Sequence, residues 1–165
     1  MRRICLSFAL MAALFISGCY TFKGYSISDE LETFYVSNFK VNAPLAPPTI
    51  SQTFQEALKL KVLRESQLKF ADRDPDIIFD GSISGYDIRA VSPEPGERTA
   101  LNRLEIRISV EFTDNSNEEN NWKNQFSFFQ DFPSTQNLLE VQDELIEEIF
   151  DQLLEDIFNK AFTNW

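Results

Sequence analysis

The sequence predicts a mixed α/β (α+β) fold, a two-layer sandwich in which a four-stranded sheet packs against two helices in the order β-α-β-β-β-α. Three observations predict it. Two segments repeat apolar residues at helical spacing, four segments alternate apolar and polar residues over most of their length, and 165 residues are enough for one domain. Helices with one apolar stripe and a sheet with one apolar face bury those surfaces against each other.

The first predicted strand and the first predicted helix flank a proline-rich loop. Residues 31–41 alternate well enough for a strand. Its core face would hold Leu31, Tyr35, Phe39 and Val41. Residues 42–48 contain three prolines and form the loop. Thr49 then precedes a helix that runs to about Phe70, and Thr49 with Gln52 has the spacing of a capping box. The apolar stripe of this helix contains Ile50, Phe54, Ala57 and Leu58.

Three more strands are predicted after a break at residues 71–75. The second strand, Asp76 to Val91, changes the phase of its apolar residues next to Gly85, which indicates a β-bulge or a change of sheet neighbour. A loop of residues 92–99 precedes the third and clearest strand. The core residues of the third strand are Leu104, Ile106, Ile108, Val110 and Phe112. The residues between them form a charged row that faces water or a polar partner. The row runs from Arg103 to Glu111 and includes Glu105 and Arg107.

The chain closes with a fourth strand and a long helix. After an asparagine-rich turn at residues 114–121, the strand runs from Trp122 to Phe132, and Pro133 ends it. From Leu138 the chain is helical almost to its end, with pairs of apolar residues repeated every four positions. Such a repeat drifts around a helix of 3.6 residues per turn, so the buried stripe is wide. The carboxylates between the pairs exclude a membrane span.

The N-terminus has the features of an export signal. Two arginines precede an apolar stretch of thirteen residues, Ile4 to Ile16, which is too short for a membrane span and typical of a signal peptide. The following Ile16-Ser17-Gly18-Cys19 resembles the lipobox of bacterial lipoproteins. The resemblance implies cleavage between Gly18 and Cys19, acylation of Cys19, and anchoring to a membrane through the lipid. We therefore predict a signal peptide at 1–18, a lipidated tether at 19–30 and a single globular domain at 31–165.

Composition excludes several functions. The formal net charge is −11, and a chain this acidic lacks the basic face that a nucleic-acid-binding protein needs. The chain contains no histidine, which excludes histidine-based catalysis and histidine-ligated metal sites. Residues 72–76 begin like a calcium-binding loop, but Ile77 and Ile83 stand where such a loop needs glycine and glutamate. We predict no enzyme activity, no metal and no cofactor.

The order of segments resembles the LPS-assembly lipoprotein (LptE) family. The segments that carry the resemblance are GCYTFKGYSI (18–27), NAPLAPPTISQTFQEAL (42–58), DGSISGYDI (80–88), NRLEIRISVEFTD (102–114) and VQDELIEEIFDQLLEDIFNKAFTNW (141–165). Membership implies a lipoprotein that plugs the large outer-membrane barrel for lipopolysaccharide (LPS), the LptD-like partner, helps to assemble it, and contacts LPS. Tyr20 after the cysteine, where an aspartate marks retention in the inner membrane of many lipoproteins, implies the outer membrane. Residues 21–25 lack the acidic run that tags some lipoproteins for the cell surface, which implies the periplasmic face.

Basic residues are the candidates for contact with an LPS phosphate or a barrel carboxylate. We single out Arg98 and Arg103, which bracket the 92–103 segment, together with Arg107 and Lys123. Two other functions stay open. One is a scaffold or binding module of another envelope complex, and the other is a periplasmic enzyme, which the absence of histidine and of a nucleophile motif disfavours.

Overall fold

The computed structural model describes residues 31–91 and 100–163, and it confirms the sheet packed against two helices. The elements in chain order are β1 (Thr33–Val36), β2 (Lys40–Val41), α1 (Ile50–Glu65), β3 (Lys69–Phe70), β4 (Ile77–Val91), β5 (Leu101–Asp114), a 3₁₀ helix (Glu118–Asn120), β6 (Trp122–Pro133) and α2 (Leu138–Phe162). The sheet has six strands rather than the predicted four. The additional strands arise because the first predicted strand is interrupted and because β3, two residues long, is too short to show a pattern.

The strand order places the first strand, which the sequence left unplaced, beside β4. The order is β3-β1-β4-β5-β6, and β2 also pairs with β4, further along it than β1. β1 and β2 are parallel to β4, whereas β4, β5 and β6 form an antiparallel meander. Asp76, just before β4, links the segments at one end of the sheet. Its carboxylate accepts hydrogen bonds from the backbone N–H groups of Glu32 and Thr33 at the start of β1, and its carbonyl accepts one from the Asn115 N–H after β5.

The predicted core face of the first strand is wrong at two positions. Phe34 and Val36 are fully buried, whereas Tyr35 is half-buried on the other face and Val41 is exposed. Phe39 is buried as predicted. The reason is the interruption between β1 and β2, where the three residues 37–39 lie opposite only two residues of β4 and reverse the alternation.

α1 begins as predicted but ends earlier and lacks the predicted capping box. Thr49 occupies the N-cap position with helical backbone angles (φ −84°, ψ −10°), and its side chain makes no capping hydrogen bond. Side-chain capping needs an extended N-cap, so this geometry prevents it. The Gln52 amide instead donates to Glu56. At the other end the Ser66 hydroxyl donates to the Val62 carbonyl, after which the chain leaves the helix and pairs through β3 with β1.

The phase change in the second predicted strand is a β-bulge. In the pairing of β4 with β5, Ile83 lies opposite Ile108 and Gly85 opposite Arg107, so Ser84 is the additional residue. The bulge turns Tyr86 into the core, where burial raises the pKa of its phenol to about 12 and its hydroxyl donates to Gln142 of α2. Ile88, on the same side, stays exposed.

α2 provides the largest part of the helix layer and confirms the wide stripe. Nine of its residues are buried, including Phe150, Leu153 and Phe158. The Phe150 ring packs edge-on against Phe54 of α1 with centroids 5.2 Å apart, which joins the two helices above the sheet. Within the described residues, no buried side-chain nitrogen or oxygen lacks a hydrogen-bond partner. The sheet and the two helices therefore enclose one apolar core, in which the buried polar side chains of the described residues are hydrogen-bonded.

Several predicted features lie outside the described residues. These are the signal peptide with Gly18, the acylated Cys19, the tether 19–30 and Arg98. Neither helix of the described chain combines the length and the hydropathy needed to cross a bilayer.

Candidate functional site

The sheet surface opposite the helices is charged, and we call it the charged sheet face. Its charged residues on the three long strands are Asp80, Asp87 and Arg89 of β4, Arg103, Glu105, Arg107 and Glu111 of β5, and Lys123 and Asp131 of β6. The strand periodicity produces it, since every second residue of a strand points away from the core. The four basic and five acidic side chains of these three strands make this part of the face nearly neutral, although the whole chain carries −11.

Arg103 is held by two contacts with β6. Its Nε and one terminal nitrogen donate to the two Asp131 carboxylate oxygens at 2.6 and 2.8 Å, and its guanidinium lies 3.6 Å from the centroid of the Phe129 ring. The hydrogen bond from Arg103 lowers the pKa of the Asp131 carboxyl. A bidentate pair that also stacks on an aromatic ring fixes the guanidinium plane.

Arg107 lies at the centre of a second network on the same face. It donates to Asp87 at 2.6 Å and to Glu105 at 3.2 Å, and Glu105 also pairs with Arg89 at 3.0 Å. Gly85 makes room for it, because a Cβ on that glycine would lie 2.6–2.7 Å from the guanidinium atoms of Arg107. Gly85, next to the bulge, therefore also leaves the space that the Arg107 guanidinium occupies.

Lys123 is separate from the two arginines. It pairs with Glu111 at 3.1 Å, and its side chain is 70% exposed, compared with 23% for Arg103. Glu111 lies eight residues after Arg103 on β5, about 27 Å along an extended strand. The structure thus places three of the four predicted basic residues on one face, with Arg103 and Lys123 towards opposite ends and Arg107 midway between them along β5.

The sequence predicted the cations of this face but not their partners. Asp87 and Asp131 were missed because their pairing depends on the register between strands. The only local signal is the alternation of each strand, which puts both aspartates on the polar side. Because each of the three cations already has a carboxylate partner, the face offers a balanced array of donors and acceptors rather than a positive patch. Such a surface is complementary to a partner surface that carries both charges, more than to an isolated phosphate group.

The described residues hold no group of acidic or cysteine side chains that could bind a metal ion. Comparison with known families gives the decisive observation. The sequence model described as "LptE: Lipopolysaccharide-assembly" matches residues 31–161, which contain both helices and all six strands nearly complete. The chain belongs to the LptE family. The predicted resemblance is therefore confirmed, and this LptE-family protein is an LPS-assembly lipoprotein by membership.

Solved structures share the fold of this LptE-family protein at low sequence identity. A minor lipoprotein from Acinetobacter baumannii is 10% identical with a TM-score of 0.54, and the match covers 80% of this chain and 96% of the other. Uncharacterized lipoprotein B from Nitrosomonas europaea is 15% identical with a TM-score of 0.50, covering 81% and 87%. A PelC dodecamer from Paraburkholderia phytofirmans is 8% identical with a TM-score of 0.50, covering 84% and 95%. No curated protein matches the chain significantly.

Proposed function

We propose that this protein is an outer-membrane lipoprotein that plugs and helps to assemble the LPS-transport barrel, on the periplasmic side and without catalytic activity. The family match over residues 31–161 carries the proposal. The charged sheet face supports it physically, because the lumen of a large outer-membrane barrel is polar. A plug needs a rigid core with a polar outside, and here the core is closed by two helices on one side of the sheet while the other side is charged.

The charged sheet face is the part that we assign to the barrel wall or to LPS. Arg103, Arg107 and Lys123 are the described contact residues, and Arg98 is a further candidate outside the described residues. Each of the three described cations already pairs with a carboxylate of the face, so binding would replace some of these ion pairs by contacts with the partner. Direct binding of LPS phosphates would therefore draw an arginine away from Asp131 or Asp87.

A charge swap separates a structural role of Arg103 from a role in binding. Arg103→Asp alone breaks the pair with Asp131, whereas Arg103→Asp combined with Asp131→Arg rebuilds it in reverse. We expect the double variant to melt near the wild-type temperature and still to lose about tenfold in affinity for the barrel, because the partner meets the wrong charges. Arg64→Glu on the exposed surface of α1 is the control for charge reversal away from the face. Full barrel binding by the double variant would contradict the assignment of this face.

Depletion tests the function itself. Cells that lack this protein should contain less correctly folded barrel and should admit large hydrophobic antibiotics, since surface LPS becomes sparse. Heat-modifiable migration of the barrel and antibiotic sensitivity measure the two effects. Normal barrel and normal surface LPS in depleted cells would reject the proposal and favour a binding module of another envelope complex.

A further inference from the structure

An apolar cleft lies on the helix layer, on the side of the molecule opposite the charged sheet face. It has a volume of about 480 Å³ and separates part of α1 from α2. Its floor is made by Ile50 and Ala57 of α1 and by Ile146 and Phe150 of α2. The volume lies in the range of about 300–1,000 Å³ that is usual for ligand pockets. It has room for a few aliphatic side chains from another molecule.

The two walls of the cleft differ in charge. The α1 side presents Pro47, Thr49 and Thr53, which carry no charge. The α2 side presents a carboxylate row, defined as Asp143, Glu147 and Asp151, in which each residue follows the last by four positions. Residues at this spacing lie on one face of a helix, and like charges there repel one another. The row therefore disfavours the helix unless a cation compensates it.

Further along the contact between α1 and α2, a lysine neutralises carboxylates of this kind. Glu155, four residues after Asp151, forms an ion pair with Lys61 of α1, and Lys61 also pairs with Glu65 at 2.8 Å. Burial lowers the pKa of the Lys61 ammonium, but the hydrogen bonds from Lys61 to Glu155 and Glu65 outweigh it and raise the pKa overall. In the described part of the chain, no lysine or arginine pairs with the carboxylate row.

Exposed leucines continue the apolar surface beyond the cleft. Leu139 is 77% exposed and precedes Asp143 by four residues on α2. Leu45 is 70% exposed and precedes Pro47, which lines the cleft, by two residues. A single exposed leucine is ordinary, but exposed leucines next to an apolar cleft form a surface that favours association.

We propose that this cleft docks a cationic amphipathic helix of a partner protein. Aliphatic side chains of the helix would fill the floor and cover Leu139, while its lysines or arginines would pair with the carboxylate row as Lys61 pairs with Glu155. Basic residues four apart on the partner match the four-residue spacing of the row. Helix-in-groove binding uses this combination of apolar anchors and flanking charges. The proposal goes beyond the barrel-plug function, because it concerns the opposite side of the molecule and a separate partner segment.

Titration with a synthetic peptide tests the proposal on the full-length protein in mild detergent. The probe is a labelled helical peptide with leucines on one side and lysines spaced by four on the other, and its counterpart has glutamate for lysine. We expect saturable, salt-sensitive binding of the lysine peptide only, with hydrogen-exchange protection on α1 and α2 around the cleft. The combination Asp143→Asn, Glu147→Gln and Asp151→Asn should weaken binding about tenfold.

A matched variant controls for general acidity. Glu140→Gln, Glu144→Gln and Glu148→Gln remove the same charge from other positions of α2 and should leave binding within about twofold. Equal loss in both variants, equal binding of the glutamate peptide, protection away from the cleft, or displacement of the peptide by spermidine alone would each overturn the proposal. The carboxylate-row variant should melt at or above the wild-type temperature, because it relieves repulsion. A lower melting temperature would show that the row is compensated within the protein and would also overturn the proposal.

Discussion

Asp114 shows how one buried carboxylate organises the connection between β5 and β6. Its side chain is 2% exposed and accepts hydrogen bonds from the Ser116 N–H and hydroxyl, the Asn117 N–H and the Asn120 amide. Burial alone would raise the pKa of this carboxyl, but these hydrogen bonds stabilise the anion and lower the pKa below the ordinary value of 3.8. The turn is therefore built around a charged group that stays ionised.

Asp114→Ala should cost about 2–3 kcal/mol of unfolding free energy at neutral pH, because several N–H and hydroxyl groups lose their acceptor. The folded pKa is depressed, so this stabilisation is complete above the unfolded value of 3.8 and is lost as the pH falls through the lower folded value. Urea unfolding of both proteins across the acid range measures it, with the exposed Asp72→Ala as control. A difference between wild type and Asp114→Ala that stays constant down to the lowest pH would contradict this explanation.

Gly81 and Gly85 of β4 differ in what a larger side chain would meet. A Cβ on Gly81 would lie 2.0 Å from the Ser109 carbonyl oxygen and 2.8 Å from the Phe39 ring, whereas a Cβ on Gly85 would meet only the end of the Arg107 side chain. Gly81→Ala should therefore cost about 3 kcal/mol and Gly85→Ala about 1 kcal/mol or less, since an arginine can move and a paired strand cannot. Thermal unfolding of the two variants checks the order, and a reversed order would show that the bulge at Gly85 cannot adjust.

Among the elements, α2 carries both the core and the acidic surface. Its apolar side chains were predicted from the sequence because a stripe repeated over 25 residues is a strong periodic signal. β3 was not predicted, since two residues show no period, and β2 was predicted only as the end of the first strand. The phase change beside Gly85 was predicted as a bulge or a change of neighbour, and the register with β5 shows that it is a bulge.

Phe150→Ala or Leu153→Ala should cost about 2–5 kcal/mol by leaving a cavity between α2 and the layers it contacts. Phe150 is 2% exposed and Leu153 is fully buried. Leu139→Ala on the same helix is the matched control and should change stability by less than about 0.5 kcal/mol because Leu139 is exposed. Melting curves of the three variants measure the effect. A shift of under a degree for Phe150→Ala would show that the stripe contributes little to the core.

For the whole molecule, charge is distributed unevenly between the two layers. α2 carries eight acidic residues and one lysine, whereas the long strands of the charged sheet face hold four basic and five acidic side chains. The layer that we assign to the barrel is thus almost neutral, and most of the excess negative charge lies on the helix layer. An anionic membrane surface would repel the helix layer, so a lipid anchor is the means of attachment that the chain predicts.

The anchor and the barrel contacts should be separable. Cys19→Ala should abolish fatty-acid labelling, because the acyl chains are expected on that sulfur. A version of residues 20–165 exported without lipid should still copurify with the barrel, since the anchor raises local concentration and supplies no barrel contact. Metabolic labelling and pull-down in mild detergent measure the two outcomes. Equal labelling of Cys19→Ala and wild type would reject the lipoprotein anchor, and loss of barrel with the lipid-free protein would reject the independence of the two functions.

Periodicity and segment order predict the two-layer class, the three long strands, both helices and the family, because these features extend over many residues of the sequence. The sequence also identified Arg103, Arg107 and Lys123 as cations on strand positions that alternate with the core. The partners of the two arginines depend on the fold, since the register between strands brings Asp87 and Asp131 next to them. The cleft between α1 and α2 likewise depends on how two helices distant in sequence pack, and no local pattern contains that information.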